Sequence, residues 1–339
     1  MPQPNGKLKL RDLARLTGHT VGTVSKALHG KPGLSLDTRE RILKAAKETG
    51  YIGNALAGSL RSGTTKTVAI ILGDISNPLF SIFAKQLIAG LKDSGYSAIL
   101  LNTDENSLEE ERAIVTALSR NVDGVFICPT QQGSANMQLL KHNEVPFVLI
   151  GRHFDDDSFD GVCFDDREGG RLAAEHLLSL GHREILLLTG PDYISSARER
   201  KQGFFDAFRA LRLSPDPKLI REVDIATDAA VHAVEHAVGE GARFTAVCAF
   251  SDYVAWQVIY ALNGLGLSVP GDVSVIGFDN IQSDIRLPVP LSTVGCDKRA
   301  FGRRAVELLL GRIENPSAPR EQVRLKTSLV ARGTTAPLG

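Results

Sequence analysis

The stretch from Lys9 to Leu28 limits what this chain can fold into more than any other, because it reads as two short helices around a tight glycine corner. Leu10, Leu13 and Ala14 recur at i, i+3 and i+4 and give the first helix one apolar face, and Thr17-Gly18 breaks it where a helix-turn-helix needs its turn. Thr20 offers an N-cap to the second helix, whose Val24, Ala27 and Leu28 repeat the spacing. That register turns Gly22, Ser25, Lys26 and His29 towards the opposite face, where they are free to touch a partner. A third helix is predicted from a Ser35 cap to a Gly50 stop, with Ile42, Ala45 and Ala46 as its apolar stripe.

Charge points to the kind of partner. Residues 1–62 hold eleven Lys/Arg against four acids, a net of +7, while the whole chain sums to zero, so the remainder carries −7. A basic head on an acidic body is the asymmetry expected of a nucleic-acid-binding arm on a sensor or enzyme.

The run RDLARLTGHTVGTVSKALHGKPGLSLDTRERILKAAKETGYIGNALAGSLRSG resembles the N-terminal headpiece and hinge of the LacI/GalR family of bacterial transcription regulators. The resemblance implies that the second helix enters the major groove of a double-stranded DNA operator, with Thr20, Thr23, Ser25, His29 and Asn54 on phosphates and Val21, Gly22 and Lys26 facing bases. It implies further that Leu60 wedges into the minor groove at the centre of a palindrome. Residue chemistry bears on these roles. Lys26 can donate to guanine O6 and N7, and hydroxyls at a helix start can bond phosphate. Gly22 has no side chain, so operator choice rests more on Val21, Lys26 and DNA shape. Val21 stands three before Val24, which leaves both base contact and core packing open for it. Arg61 supplies a minor-groove cation beside Leu60. The segment from Asn54 to Thr65 is too short and too weakly apolar to hold a helix alone, and is expected to order on DNA.

Beyond residue 66 the pattern becomes α/β. Short apolar runs at Val68–Leu72, Ala98–Leu101, Val122–Ile127 and Pro146–Ile150 read as buried strands, and a second series follows at Glu184–Leu188, Thr245–Phe250 and Val273–Gly277. Helical stretches near Gly169–Leu180, Ala197–Leu211, Asp228–Val238 and Tyr253–Leu265 alternate with this series, so two doubly wound parallel-sheet lobes are predicted. By resemblance the body is the family's periplasmic-binding-protein-like core, with the chain crossing between lobes near Phe164, Val294 and Lys326. The expected organisation is a headpiece at 1–52, a hinge helix and linker at 53–66 and an effector-binding core at 67–339. Lobe 1 would take about 67–164 and 295–325, and lobe 2 about 165–294 and 326–334.

In such a core a small-molecule effector lies between the carboxyl ends of the two sheets. The residues that match family pocket positions just after strands are Asn77, Leu79, Phe80, Asp165, Arg200, Ile225, Ser251 and Asp279. An Arg and an Asp on one ligand suit sugar hydroxyls or a purine edge, with Leu79, Phe80 and Ile225 as apolar walls. Two departures stand out: Ser251 replaces a frequent Asn, and Ile225 replaces a frequent aromatic. Sugar, sugar phosphate, nucleoside and purine therefore all stay open.

Rival classes have weaker signals. The chain carries no G-x-G-x-x-G, no G-x-x-x-x-G-K-[ST] and no G-x-S-x-G, so no enzyme activity and no cofactor are expected. His232 and His236 sit at i, i+4 without the glutamate of a zinc motif and read as an exposed helix face, so no metal is expected. Cys128, Cys163, Cys248 and Cys296 lie in or beside apolar strands and read as reduced core residues of a cytoplasmic protein. A transport-type binding protein, or a sensor without operator specificity, would share the core fold; the polar N-terminus and the lack of about twenty consecutive apolar residues disfavour export and any membrane. One headpiece reads only a half-site, so a homodimer is expected, with Leu79–Leu91 and Asp252–Leu262 as its faces by resemblance. The chain ends at Thr334-Thr-Ala-Pro-Leu-Gly with no leucine heptad, so a tetramer by that route is not expected. The implied mechanism is allosteric: effector binding changes lobe closure and hinge spacing, with its sign open between inducer and corepressor.

Overall fold

The computed structural model describes residues 8–51, 63–155, 158–224, 228–283 and 290–339. They fall into two compact units, one up to Thr65 and one from Lys66 onward.

The first unit holds α1 (Leu10–Thr17), α2 (Val21–Leu28) and α3 (Leu36–Glu48). Gly18 ends α1 at φ 70°, and its N–H reaches the carbonyls of Ala14 and Arg15. A residue with a Cβ would be disfavoured in that left-handed cap, which is why the corner falls at glycine. Thr20 Oγ1 accepts the Thr23 N–H at 3.1 Å and starts α2, and Ser35 Oγ accepts the Thr38 N–H at 3.2 Å and starts α3. Leu13, Ala14, Val24, Ala27, Ile42 and Ala46 form the core, with Leu10, Leu28 and Ala45 packed at its margin.

The second unit contains two sheets of six strands each. The first runs in the order β2 (Ser97–Asn102), β1 (Thr67–Leu72), β3 (Gly124–Ile127), β4 (Phe147–Ile150), β5 (Asp160–Phe164), β11 (Gln322–Leu325). The second runs β7 (Ile220–Glu222), β6 (Ile185–Thr189), β8 (Ala246–Ala249), β9 (Ser274–Phe278), β10 (Ser292–Gly295), β12 (Ser328–Val330). Pairing is parallel throughout except for β12 on β10. Continuous Val/Ile/Leu runs suit strands covered on both faces. The covering helices are α4 (Pro78–Asp93), α5 (Ser107–Ser119), α6 (Ala135–His142) and α11 (Lys298–Glu314) on the first sheet. On the second they are α7 (Asp166–Ser179), α8 (Ser195–Ala210), α9 (Ala229–Gly239) and α10 (Asp252–Gly264).

The chain passes from the first sheet to the second after Phe164, returns after Gly295 and crosses again after Leu325. Three of these four helical stretches start one to three residues earlier than periodicity suggests, with Asp165, Ile194 and Ser251 at the N-cap positions, and the fourth starts one residue later, at Ala229, with Asp228 as its N-cap. The strand order reverses at β1/β3 in one lobe and at β6/β8 in the other. Such switch points open a crevice at the carboxyl ends of the strands, and here two of them meet.

Candidate functional site

On the first unit, α2 presents the residues expected at DNA. Val21 is 47 % exposed and so is not part of the core, and Gly22, Lys26 and His29 are exposed beside it. Thr23 and Ser25 are half-buried. The Thr20 hydroxyl is engaged twice, with the Thr23 N–H and with Thr23 Oγ1 at 3.0 Å, and His29 Nδ1 lies 2.8 Å from the Ser25 carbonyl. The Thr20–Thr23 bonds fix polar groups at the start of α2, where the dipole favours anions, and the His29–Ser25 contact fixes the imidazole at the other end of that helix. Asn54, Leu60 and Arg61 lie outside the described residues.

In the second unit, a cavity of about 50 Å³ lies between the lobes and is lined by Asn77, Leu79, Phe80, Arg200, Ser251 and Asp279 together. Two of the side chains are helix caps: Asn77 Oδ1 accepts the Leu79 N–H at 3.0 Å, and Ser251 Oγ accepts the Val254 N–H at 3.1 Å. Asp165 does not line the cavity. Its carboxylate caps α7 by accepting the Glu168 N–H at 3.2 Å, and the neighbouring Asp166 does the reaching instead. Ile225 lies outside the described residues.

Arg200 is the organising side chain. Its Nε donates to Asp166 Oδ1 at 2.7 Å and its Nη1 to the Phe250 carbonyl at 2.7 Å, while its guanidinium carbon lies 3.5 Å from the Phe278 ring centre. Planar charge over an aromatic face is the arrangement Arg favours in a dry site. α7 and α8 touch backbone to backbone to place it: a Cβ on Gly170 would stand 2.1 Å from the Arg200 carbonyl oxygen, and one on Gly203 would stand 1.9 Å from that of Arg167.

Asp279 sits at the end of β9 at φ 112° and is 2 % exposed. Arg200 Nη2 is 3.5 Å from its Oδ1, within ion-pair reach but without hydrogen-bond geometry, so both carboxyl oxygens are buried with no hydrogen-bond partner among the described residues. Burial pushes its carboxyl up to about 8, against the pull of Arg200 and with Asp252 and Asp166 adding to the rise. Asp166 is pushed up to about 6 by burial, offset by Arg200. A buried acceptor left unsatisfied is costly, and a ligand hydroxyl or N–H at this wall would relieve it.

The structure adds lining residues that sequence reasoning missed. Arg152, following β4, pairs with Glu105, following β2, and also donates to the Pro129 carbonyl at 2.8 Å. Phe83 and Phe164 form an apolar wall with centroids 5.9 Å apart, and Ser196 and Phe250 complete the lobe 2 side. Gly151 and Arg152 come straight after β4 and Glu105 three residues after β2, so the rule that selected Asn77 and Asp279 extends to them. At Glu105 the cavity adjoins an outer chamber of about 310 Å³ whose rim carries Asp104, Glu222 and Asp224. Cys128, on the cavity floor, is buried, which pushes its thiol up to about 12. His232 and His236 stand exposed on α9 beside Glu235 and Glu240. No helix among the described residues is long and apolar enough to cross a membrane.

Known proteins combine the same two parts. Residues 9–54 match the family described as "Bacterial regulatory proteins, lacI family", and residues 174–335 match "Periplasmic binding protein-like domain". The chain is 31% identical over 333 residues to the HTH-type transcriptional repressor PurR of Aliivibrio fischeri, covering 96% of this chain and 97% of that protein. The PurR of Vibrio cholerae is 31% identical over 335 residues, with 97% and 98% covered. Among solved structures, the lac repressor dimer bound to operator and the anti-inducer ONPF superposes with a TM-score of 0.85 at 25% identity, covering 98% of this chain and 100% of that one. A CelR–cellobiose complex gives 0.72 at 27% identity, with 96% and 99% covered. A LacI-family regulator from Enterococcus faecium with bound ribose gives 0.71 at 27% identity, with 80% and 100% covered. With relatives above 30% identity spanning nearly its whole length, this chain belongs to the lacI family of bacterial regulatory proteins.

Proposed function

We propose that the protein is a transcriptional repressor of the cytoplasm, without enzymatic activity, which binds a palindromic operator as a homodimer and answers to a small effector in the interlobe cavity. The observation that carries this reading is one chain pairing a headpiece whose α2 residues stand exposed with a cavity holding the buried Asp279 carboxyl, which has no hydrogen-bond partner among the described residues. Val21 and Lys26 would read bases, with Gly22 allowing close approach, and Thr20, Thr23, Ser25 and His29 would hold phosphates. On the effector, Asp279 would accept from a hydroxyl or N–H, Arg200 would donate, Asn77 and Ser251 would orient it, and Leu79 and Phe80 would cover its apolar edges.

A sugar or sugar derivative is the favoured class, since an acceptor, a guanidinium and flat apolar walls together match a ring rich in hydroxyls. A purine is the second reading, favoured by the PurR relatives. Dimerisation would use α4 and α10, where Ile88 is 43 % and Tyr260 is 74 % exposed. Effector-driven closure of the lobes would change how the two headpieces of a dimer are spaced.

The test is selection of bound sequences from a random DNA library at physiological salt, with and without a pool of sugars and nucleobases. A palindrome whose affinity falls steeply with salt is expected, and the pool's effect gives the sign of the response. Binding that stays at a non-specific Kd of about 10⁻⁴ to 10⁻⁶ M for every sequence would favour a sensor without operator specificity.

A further inference from the structure

A second cluster of charge spans the lobes away from the cavity lining. His153, on the loop after β4, places Nε2 2.9 Å from Glu199 Oε1 and Nδ1 3.1 Å from the Phe154 carbonyl oxygen. Glu199 belongs to α8, which packs on α7 and so on the second sheet, whereas His153 and Arg324 of β11 belong to the first. Arg324 Nη1 reaches both Glu199 oxygens at 3.0 Å, and its Nη2 lies 3.3 Å from His153 Nε2. Two further bonds cross the same seam: the His153 N–H donates to Ser195 Oγ at 3.1 Å, and the Ser195 N–H donates to Gln131 Oε1 at 2.9 Å.

The imidazole's partners dictate its charge. A carbonyl and a carboxylate only accept, so both contacts are hydrogen bonds when both ring nitrogens carry hydrogen, that is, as imidazolium. If the proton leaves Nε2, that nitrogen's lone pair faces Glu199 Oε1 and can accept only from Arg324. The group is buried, 8 % exposed for the His153 side chain and 13 % for that of Glu199, so solvent replaces little of what is lost. Among the described residues, the other charged groups around the cluster include Asp165, Asp166 and Arg167 at the start of α7 and Asp155 on the loop of His153, the last paired with Arg198 of α8. The thiol of Cys163 beneath Arg324 stays neutral because burial pushes it up to about 12.

We propose that Glu199 is a positioning residue for the cavity, which latches α8 to the first lobe through His153 and Arg324 and holds most firmly while His153 carries both ring protons. The same turn of α8 supplies Ser196 and Arg200 to the cavity, so the latch sets where those two side chains point. The cavity of about 50 Å³ is well below the roughly 300–1,000 Å³ of a small-molecule site, and a sugar needs the lobes to part or rotate at this seam. Releasing the latch thus precedes or accompanies entry. The consequence for an effector rests on the function proposed above, whereas the latch does not.

The charge state has a direction consistent with this geometry. The hydrogen bond to Glu199, followed by burial opposing it and the Phe154 carbonyl supporting it, raises the imidazole above its ordinary 6.5. A raised imidazole contributes to closure fully below its ordinary value, and that contribution is lost as pH climbs through the raised one.

Amide hydrogen exchange of the full-length protein, free of DNA and sugars, tests this from about pH 5 to about pH 8. After correction for intrinsic rates, protection of the His153 and Ser195 amides should fall by roughly tenfold across that range, the worth of one charge-assisted bond. Glu199→Gln, which keeps size and polarity, should show low protection with no pH profile, while the amides of the Ser274–Phe278 strand stay protected as a control for folding. Wild-type protection that does not vary with pH overturns the latch, as does a Glu199→Gln profile like that of the wild type. Should Glu199→Gln not fold, the wild-type imidazole titration by NMR decides: a midpoint above 6.5 supports the latch and one at or below it sinks it. Because neither DNA nor effector enters the readout, loss of the latch and loss of the repressor reading are separate results.

Discussion

Glu105 and Arg152 form a two-pronged ion pair inside the first lobe, with Nη1 to Oε2 and Nη2 to Oε1 both at 2.8 Å. The side chains are 12 % and 5 % exposed, so the pair is largely cut off from water. Removing either partner strands the other charge. Glu105→Leu or Arg152→Met should each destabilise the core by about 3 kcal/mol, whereas the two combined should lose much less than the sum. Urea unfolding of the four proteins measures this; additive losses would mean that the pair is not coupled.

Arg200→Ala should abolish the effector response while leaving operator affinity unchanged in the absence of effector. Titration of operator DNA with and without the active metabolite pool reads both quantities, and a retained response would remove Arg200 from ligand contact. Some loss of stability should accompany it, because Asp166 loses its 2.7 Å partner.

Asp279 gives stability a pH dependence of defined sign. Its carboxyl is raised from 3.8 to about 8 in the folded chain, so the native state binds more protons than the unfolded one and stability falls as pH rises between those values. Asp279→Asn should flatten that fall by up to one proton, or about 1.4 kcal/mol per pH unit. Denaturant midpoints across this window check it, and an unchanged slope would mean that the carboxyl titrates elsewhere.

Gly203→Ala should cost about 3 kcal/mol or more, because the added methyl would meet backbone on α7 and not a movable side chain. Exposed Gly22→Ala on α2 meets only Thr20 Oγ1 at 3.8 Å and should leave thermal stability unchanged or slightly raised. Melting curves of the two variants make the comparison.

On the headpiece, Lys26→Ala should weaken the selected operator by about 1–3 kcal/mol and relax preference at one base pair. Thr20→Ala should instead weaken all sequences alike and destabilise the headpiece by about 1 kcal/mol through loss of the cap. Competition binding against mismatched operators separates the two outcomes.

Local features were legible wherever one helix or one strand end supplies the whole signal. The Gly18 corner, the Thr20 and Ser35 caps and the apolar stripe of Leu13, Val24 and Ile42 are each set within a few residues, and the structure has them as read. Asn77, Arg200, Ser251 and Asp279 follow buried strands or lie on the helix after one, and the structure brings them to one cavity. Asp165 shows the limit of such reading: two adjacent aspartates follow β5, and only the helix geometry decides that the first caps and the second reaches Arg200.

The sequence by itself determined the two-part character of the chain, the headpiece helices, the central strands of both sheets and part of the cavity wall, because periodicity, caps and strand ends are short-range properties. Tertiary structure alone decided which charges pair. Glu105 meets Arg152 across 47 residues, His153 meets Glu199 across 46 and Arg324 meets Glu199 across 125, and no spacing rule connects them. Their pairing depends on strand order and on the close approach of α7 and α8 at Gly170 and Gly203, which bring distant strand ends and helix starts into a space with too little water to screen them.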